Sequence, residues 1–149
     1  MDDTGFMREA LSEAQKAFRK GEIPIGAVLV HRGEIIARNH NRREELHDPT
    51  AHAEILVLRE AGAILGGWRL PETTLYVTIE PCPMCAGALV QARVSRLVYG
   101  AADAKGGAVA SLYRIATDER LNHRLTVTAG VLEAEAGELM RRFFQARRG

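Results

Sequence analysis

Apolar residues near the start recur at helical spacing. Met7, Ala10, Leu11, Ala14, Ala17 and Phe18 form one stripe, and Arg8, Glu9, Glu13, Gln15 and Lys16 take the other faces. This pattern predicts a first helix that stops at Gly21. The period then shortens. Ile25 to Val30 is an apolar, partly β-branched run, His31-Arg32-Gly33-Glu34 reads as a turn, and Ile35-Ile36 resumes the apolar run, which predicts an antiparallel hairpin. Asn39 to His47 is polar and reads as a loop. Asp48-Pro49 predicts the start of a second helix, with Asp48 as N-cap and Pro49 in the first helical position. That helix carries Ile55, Leu56 and Leu58 and ends near Ala61, before Gly62. Thr73 to Ile79 (TTLYVTI) is a strand by composition. Pro81 and Pro83 break it, and a third helix follows from Met84 to Gln91. Arg96 to Tyr99 predicts a short strand, and Ala102 to Arg124 a long loop with a short helix near Leu112 to Ile115. Thr126 to Val131 predicts the fifth strand, and Glu133 to Arg147 a last helix that buries Leu139, Met140, Phe143 and Phe144.

Strands interleaved with helices favour an α/β domain of three layers, α/β/α, around a five-stranded mixed sheet. The 149 residues suit one domain spanning 1–149, and no repeat or linker divides them. With 46% apolar and 26% charged residues, a collagen-like, disordered or disulfide-rich chain is excluded. Twenty Lys and Arg against nineteen Asp and Glu leave a net charge of +1, so any nucleic-acid site must be a local patch. The acidic start, Met1-Asp2-Asp3, lacks the layout of a signal peptide. Ile23 to Val30 is far shorter than the roughly 20 residues that span a bilayer. The expectation is a cytoplasmic protein with no membrane segment. Its two cysteines, Cys82 and Cys85, form a C-x-x-C pair, which in a reducing compartment points to metal binding or catalysis.

Two clusters carry chemistry. Thr50-Ala51-His52-Ala53-Glu54 opens the second helix, and Glu80-Pro81-Cys82-Pro83-Met84-Cys85 joins a strand to the third. Imidazole and thiolate both suit Zn²⁺, and three protein ligands leave a fourth position for water. The metal brings the pKa of such a water toward neutrality. Two thiolates weaken that effect, so a nearby carboxylate base is useful, and Glu54 is the candidate. Cys82 and Cys85, three apart, share a face at a helix start. His52 and Glu54 are two apart and reach one metal only from an opening turn, where two helix N-termini would favour the thiolates. By themselves the cysteines also admit a thiol–disulfide redox pair, or a structural zinc with His47 or His123 as fourth ligand. Paired H-x-E and P-C-x-x-C segments are the signature of zinc deaminases, and both halves occur here.

The chain resembles the bacterial tRNA-specific adenosine deaminases of the TadA type, within the cytidine deaminase-like superfamily. The resemblance runs from Ile23-Pro24-Ile25-Gly26-Ala27-Val28 to Phe143-Phe144. Asp103-Ala104-Lys105 and Leu121-Asn122-His123-Arg124 narrow it to the tRNA enzymes. The resemblance implies a cytidine deaminase-like fold in which His52, Cys82 and Cys85 hold one Zn²⁺ per subunit and Glu54 shuttles the proton. It implies conversion of the wobble adenosine of a tRNA anticodon loop to inosine, with release of ammonia. Asn41, Ala53 and Asn122 would hold the flipped nucleotide, Ile25 and Ile79 would line the base pocket, and Asp103 would meet the backbone near the target. A homodimer is implied, with the tRNA site across it and the basic C-terminal helix contributing. Arg43, Lys105, Arg147 and Arg148 are among the side chains available to phosphates. Gly106-Gly107 stands where the family often has Thr-Gly, which predicts a more mobile loop. The rival functions are a guanine or cytosine deaminase acting on free bases or nucleosides, a thiol–disulfide oxidoreductase, and a zinc-stabilised RNA-binding module without catalysis.

Overall fold

One sheet of five strands organises the protein: β1 (Gly26–His31), β2 (Glu34–His40), β3 (Thr73–Ile79), β4 (Arg96–Ala101) and β5 (Thr126–Ala129). The computed structural model describes residues 1–148; Gly149 and the Arg148 side chain lie outside the described residues. The strand order is β2-β1-β3-β4-β5. β1 runs antiparallel to β2 and β3, whereas β3, β4 and β5 run parallel to one another. The helices are α1 (Asp3–Arg19), α2 (Arg43–Leu46), α3 (Ala53–Leu65), α4 (Pro83–Gln91) and α5 (Glu133–Arg148).

Successive strand residues face opposite sides of the sheet. Ala27, Leu29, Leu75, Val77, Leu97 and Tyr99 therefore share one face, where they pack with Val57 of α3 and Leu89 of α4. Val28, Val30, Tyr76 and Val98 take the other, against Phe6, Met7 and Ala10 of α1. Ala136 of α5 packs with Leu11 of α1 on that side, and Ile79 at the end of β3 joins them. The three-layer α/β/α architecture and its mixed sheet are as expected. α1 is tied down at its start by Asp3, which accepts from both terminal nitrogens of Arg96 (2.9 and 2.7 Å) and from the Tyr76 hydroxyl (2.7 Å).

The differences from expectation have identifiable causes. The second predicted helix begins at Ala53, not Pro49. Asp48 instead accepts the Thr50 N–H and hydroxyl, each at 2.8 Å, and so folds back on a turn. The helix runs through Gly62 to Leu65 and stops at Gly66, which takes the left-handed conformation at φ 75°. The polar stretch after Asn39 holds the end of β2 and the helical turn α2. The buried Glu22 carboxylate stabilises α2 by accepting the Glu44 and Glu45 N–H groups at 3.1 and 2.7 Å. No short helix forms near Leu112 to Ile115; the N–H groups of Leu112 and Ile115 return to the carbonyls of Gly107 and Ala108. β5 ends at Ala129 because the Gly130 and Val131 N–H groups both turn to the Tyr99 carbonyl. In α5, Leu139 and Phe143 are buried and Met140 half-buried, but Phe144 is 41% exposed.

Candidate active site

The two chemical clusters meet at the N-termini of α3 and α4. His52 occupies the N-cap of α3 and Cys82 the N-cap of α4, with Pro83 in the first helical position. N-cap residues usually turn their side chains onto the helix N–H groups. Neither does so here. Both point at a common centre. His52 Nδ1 lies 3.7 Å from Cys82 Sγ and 3.4 Å from Cys85 Sγ. All three ligand atoms fall within 4.8 Å of one another. Around a tetrahedral zinc, with Zn–S about 2.3 Å and Zn–N about 2.0–2.1 Å, nitrogen and sulfur would stand about 3.6 Å apart. The donor set and its spacing therefore fit such a metal. Among the described residues neither His47 nor His123 joins the cluster. His123 Nε2 instead approaches the Val94 carbonyl at 2.6 Å.

Electrostatics within the cluster follow from its contacts. The hydrogen bond from Cys85, with one from His52, pulls the Cys82 thiol well below its ordinary range. The bond to Cys82 raises His52, and the bond to Cys82 with burial raises Cys85. Glu54 follows His52 by two residues, in the first turn of α3, and is only 4% exposed. Burial pushes its carboxyl up to about 7. A carboxyl poised there can both accept and return a proton at neutral pH.

His52, Glu54 and Cys82 line a cavity of about 700 Å³. Ile25, Asn41, Ala53, Ile79 and Asp103 line it too, so the fold gathers five of the six expected substrate contacts. The sixth, Asn122, sits exposed in a bend and does not line the cavity. Asn41 is buried and its Oδ1 accepts the Arg43 N–H at 3.0 Å, which leaves its NH₂ as the free donor. Arg43 and Lys105 line the cavity, whereas Arg147 binds the Gly21 carbonyl beside it; Arg148 falls outside the described residues.

The MafB19-like deaminase family matches residues 1–148. The tRNA-specific adenosine deaminase of Streptococcus pyogenes serotype M1 is 54% identical over 144 residues, covering 97% of this chain and 84% of the relative. This chain belongs to the tRNA-specific adenosine deaminases. A structure from work on A-to-I editing by tRNA:A34 deaminases at the wobble position of transfer RNA matches this deaminase with a TM-score of 0.88. It is 52% identical and covers 91% of this chain and 99% of its own. The guanine deaminase of Nitrosomonas europaea is similar at a TM-score of 0.82 and 27% identity, covering 94% of this chain and 83% of its own.

One residue of this deaminase's site carried no expected role. Glu80, just before the C-x-x-C pair, lines the cavity and is 3% exposed. Burial pushes its carboxyl up, but donors from Ser111, Ala110 and Asp103 overrule burial and hold it at about 2. Its position beside Cys82 was visible in the sequence, but its partners lie 23 to 31 residues further on.

Proposed function

We propose that this chain hydrolyses the amino group from adenosine at the wobble position of a tRNA anticodon: adenosine and water give inosine and ammonia. The observation that carries this reading is the His52, Cys82 and Cys85 cluster beside a buried Glu54 in one cavity. A Zn²⁺ held by these three ligands, one per subunit, would supply the Lewis acid that brings a water toward neutral pKa. Glu54 takes the proton from the attacking water, returns it to the ring nitrogen and then assists departure of the amine. Ile25 and Ile79 offer apolar walls to the base, Ala53 leaves room beside it, and the Asn41 NH₂ donates to the nucleotide. The base must leave its stack to enter, which costs least in an unpaired loop. Asp103 meets the backbone near the target, and Arg43 and Lys105 serve nearby phosphates. Asn122, off the cavity wall, meets the nucleotide from outside it.

The chain acts as a single cytoplasmic deaminase domain over residues 1–149. Among the described residues no helix is long and apolar enough to cross a membrane. A homodimer is favoured by the outer groove of α3 and α4, where Leu58, Leu70 and Ala88 meet the exposed Trp68.

The test uses purified protein of known metal content. An anticodon stem-loop with a wobble adenosine is assayed beside free adenosine, guanine and cytosine, and ammonia and inosine are followed. One zinc per chain and inosine only in the stem-loop is the expected result. Ammonia from guanine alone would keep the chemistry and replace the substrate. Stem-loop affinity is expected to fall steeply with salt.

A further inference from the structure

The segment from Ala102 to Leu125 contains no helix or strand, yet it supplies part of the cavity wall. One side chain accepts five of the hydrogen bonds that order its first half, next to a turn in which Asp103 Oδ1 accepts the Lys105 and Gly106 N–H groups, each at 3.1 Å. Glu80 Oε1 accepts the Asp103 N–H at 3.0 Å and the Ser111 hydroxyl. Glu80 Oε2 accepts the N–H groups of Val109, Ala110 and Ser111 at 3.0, 2.8 and 3.0 Å. Among the described residues no cation pairs with this carboxylate; its donors are N–H and O–H dipoles, all from one loop. Backbone N–H groups that converge on one point make an anion cradle, and here the protein's own glutamate fills it. The neighbouring backbone adds a sixth contact, from the Ala108 N–H to the Pro81 carbonyl at 2.8 Å.

Gly107 shows how closely loop and carboxylate fit. A Cβ added there would overlap the Glu80 carboxyl carbon and both its oxygens. Gly106 lacks that conflict, since its nearest neighbour is the Asp103 carboxylate at 3.1 Å. The second glycine of the pair thus answers to Glu80.

We propose that Glu80 is a positioning residue for substrate: it clamps the 103–111 loop so that Asp103 and Lys105 stand at the cavity beside the base pocket. This rests on the tRNA reading for its substrate but not for its geometry. Glu80 leads directly into Cys82, so the clamp also links the substrate-facing loop to the metal ligands. The carboxylate's lone pairs are committed to the loop, so it acts through Asp103 and Lys105, not on the reacting atoms.

Glu80→Gln tests the clamp, because an amide keeps the shape and removes one acceptor oxygen. One zinc per chain is retained, kcat stays within about 3-fold, and KM for the anticodon stem-loop rises about 10-fold or more. Amide exchange at Val109, Ala110 and Ser111 accelerates by about 10-fold or more. Gly107→Ala gives the same split between KM and kcat, and adding it to Glu80→Ala costs little more than Glu80→Ala alone, since the overlap is gone. Unchanged KM and unchanged exchange in Glu80→Gln would overturn the clamp. So would a parallel fall of zinc content and kcat, which marks a merely structural role, or additive effects in the double variant. If Glu80→Gln does not fold, Gly107→Ala carries the same tests. If the wild-type protein deaminates only a free base, the tRNA reading fails, and amide exchange still decides the clamp.

Discussion

Glu54 and Glu80 are almost equally shielded from solvent, at 4% and 3% exposure, though Glu54 lies deeper, and each is two residues from a ligand of the proposed metal. Burial pushes both carboxyls up. At Glu54 little opposes it, and the carboxyl rises to about 7. At Glu80 five donors oppose it, and the carboxyl falls to about 2. Depth at Glu54 and the supply of hydrogen-bond donors at Glu80 together separate a proton carrier from a clamp. Glu13, as little exposed but on the far face, reaches the clamp-like state by another route. Burial is overruled there by the bond from Lys16, helped by His40 and Arg38.

The largest expected effect comes from removing what both active-site glutamates flank. Cys85→Ala should bring bound zinc well below one per chain and turnover to background, by metal analysis and inosine assay. Full zinc and activity in that variant would dissolve the site. Next, Glu54→Gln should keep its metal and lose about 10²–10⁴ in kcat. Its stability should hold or rise, because a buried carboxyl with few donors is a cost to the fold. Glu80→Ala should do the opposite to stability. It orphans several N–H groups, so urea unfolding should show a loss of about 1–3 kcal/mol. Equal losses from the Glu54 and Glu80 substitutions would erase the contrast between them.

The smallest effect concerns Glu13. Its folded pKa lies below the ordinary 4.5, so its ionised form adds stability that is present above that value and lost as pH falls below it. Glu13→Gln should therefore be less stable than wild type at pH 7, by about 1.5 kcal/mol. The gap should close as the solution is acidified below pH 4.5. A gap that persisted in acid would assign the loss to packing instead of charge.

Much of the fold was legible because its signals are local. The stripe from Met7 to Phe18, the hairpin around Arg32-Gly33 and the strand Thr73–Ile79 follow from periodicity and turn chemistry within a few residues. The second helix was displaced by four residues because Asp48 has two local uses, as an N-cap or as the head of a turn. The short helix α2 was missed because Glu22, which holds its N–H groups, lies more than 20 residues away. Phe144 kept the helical spacing of a buried residue but emerges beside the cavity, since α5 covers the sheet with only one narrow face.

The sequence by itself determined the donors and their order: an imidazole and a carboxyl at one helix start, two thiols at another. Side-chain chemistry and helix-capping patterns need no knowledge of distant contacts. Only the tertiary structure decided that the two helix starts converge, with His52 Nδ1 at 3.4 Å from Cys85 Sγ. It alone decided that Asn41 enters the cavity wall while Asn122 stays outside. It alone gave two similar glutamates opposite characters, because the donors that reach Glu80 come from a loop brought back by the pairing of β3 with β4. A carboxyl's pKa is set by what surrounds it in space, and those neighbours are chosen by the sheet order.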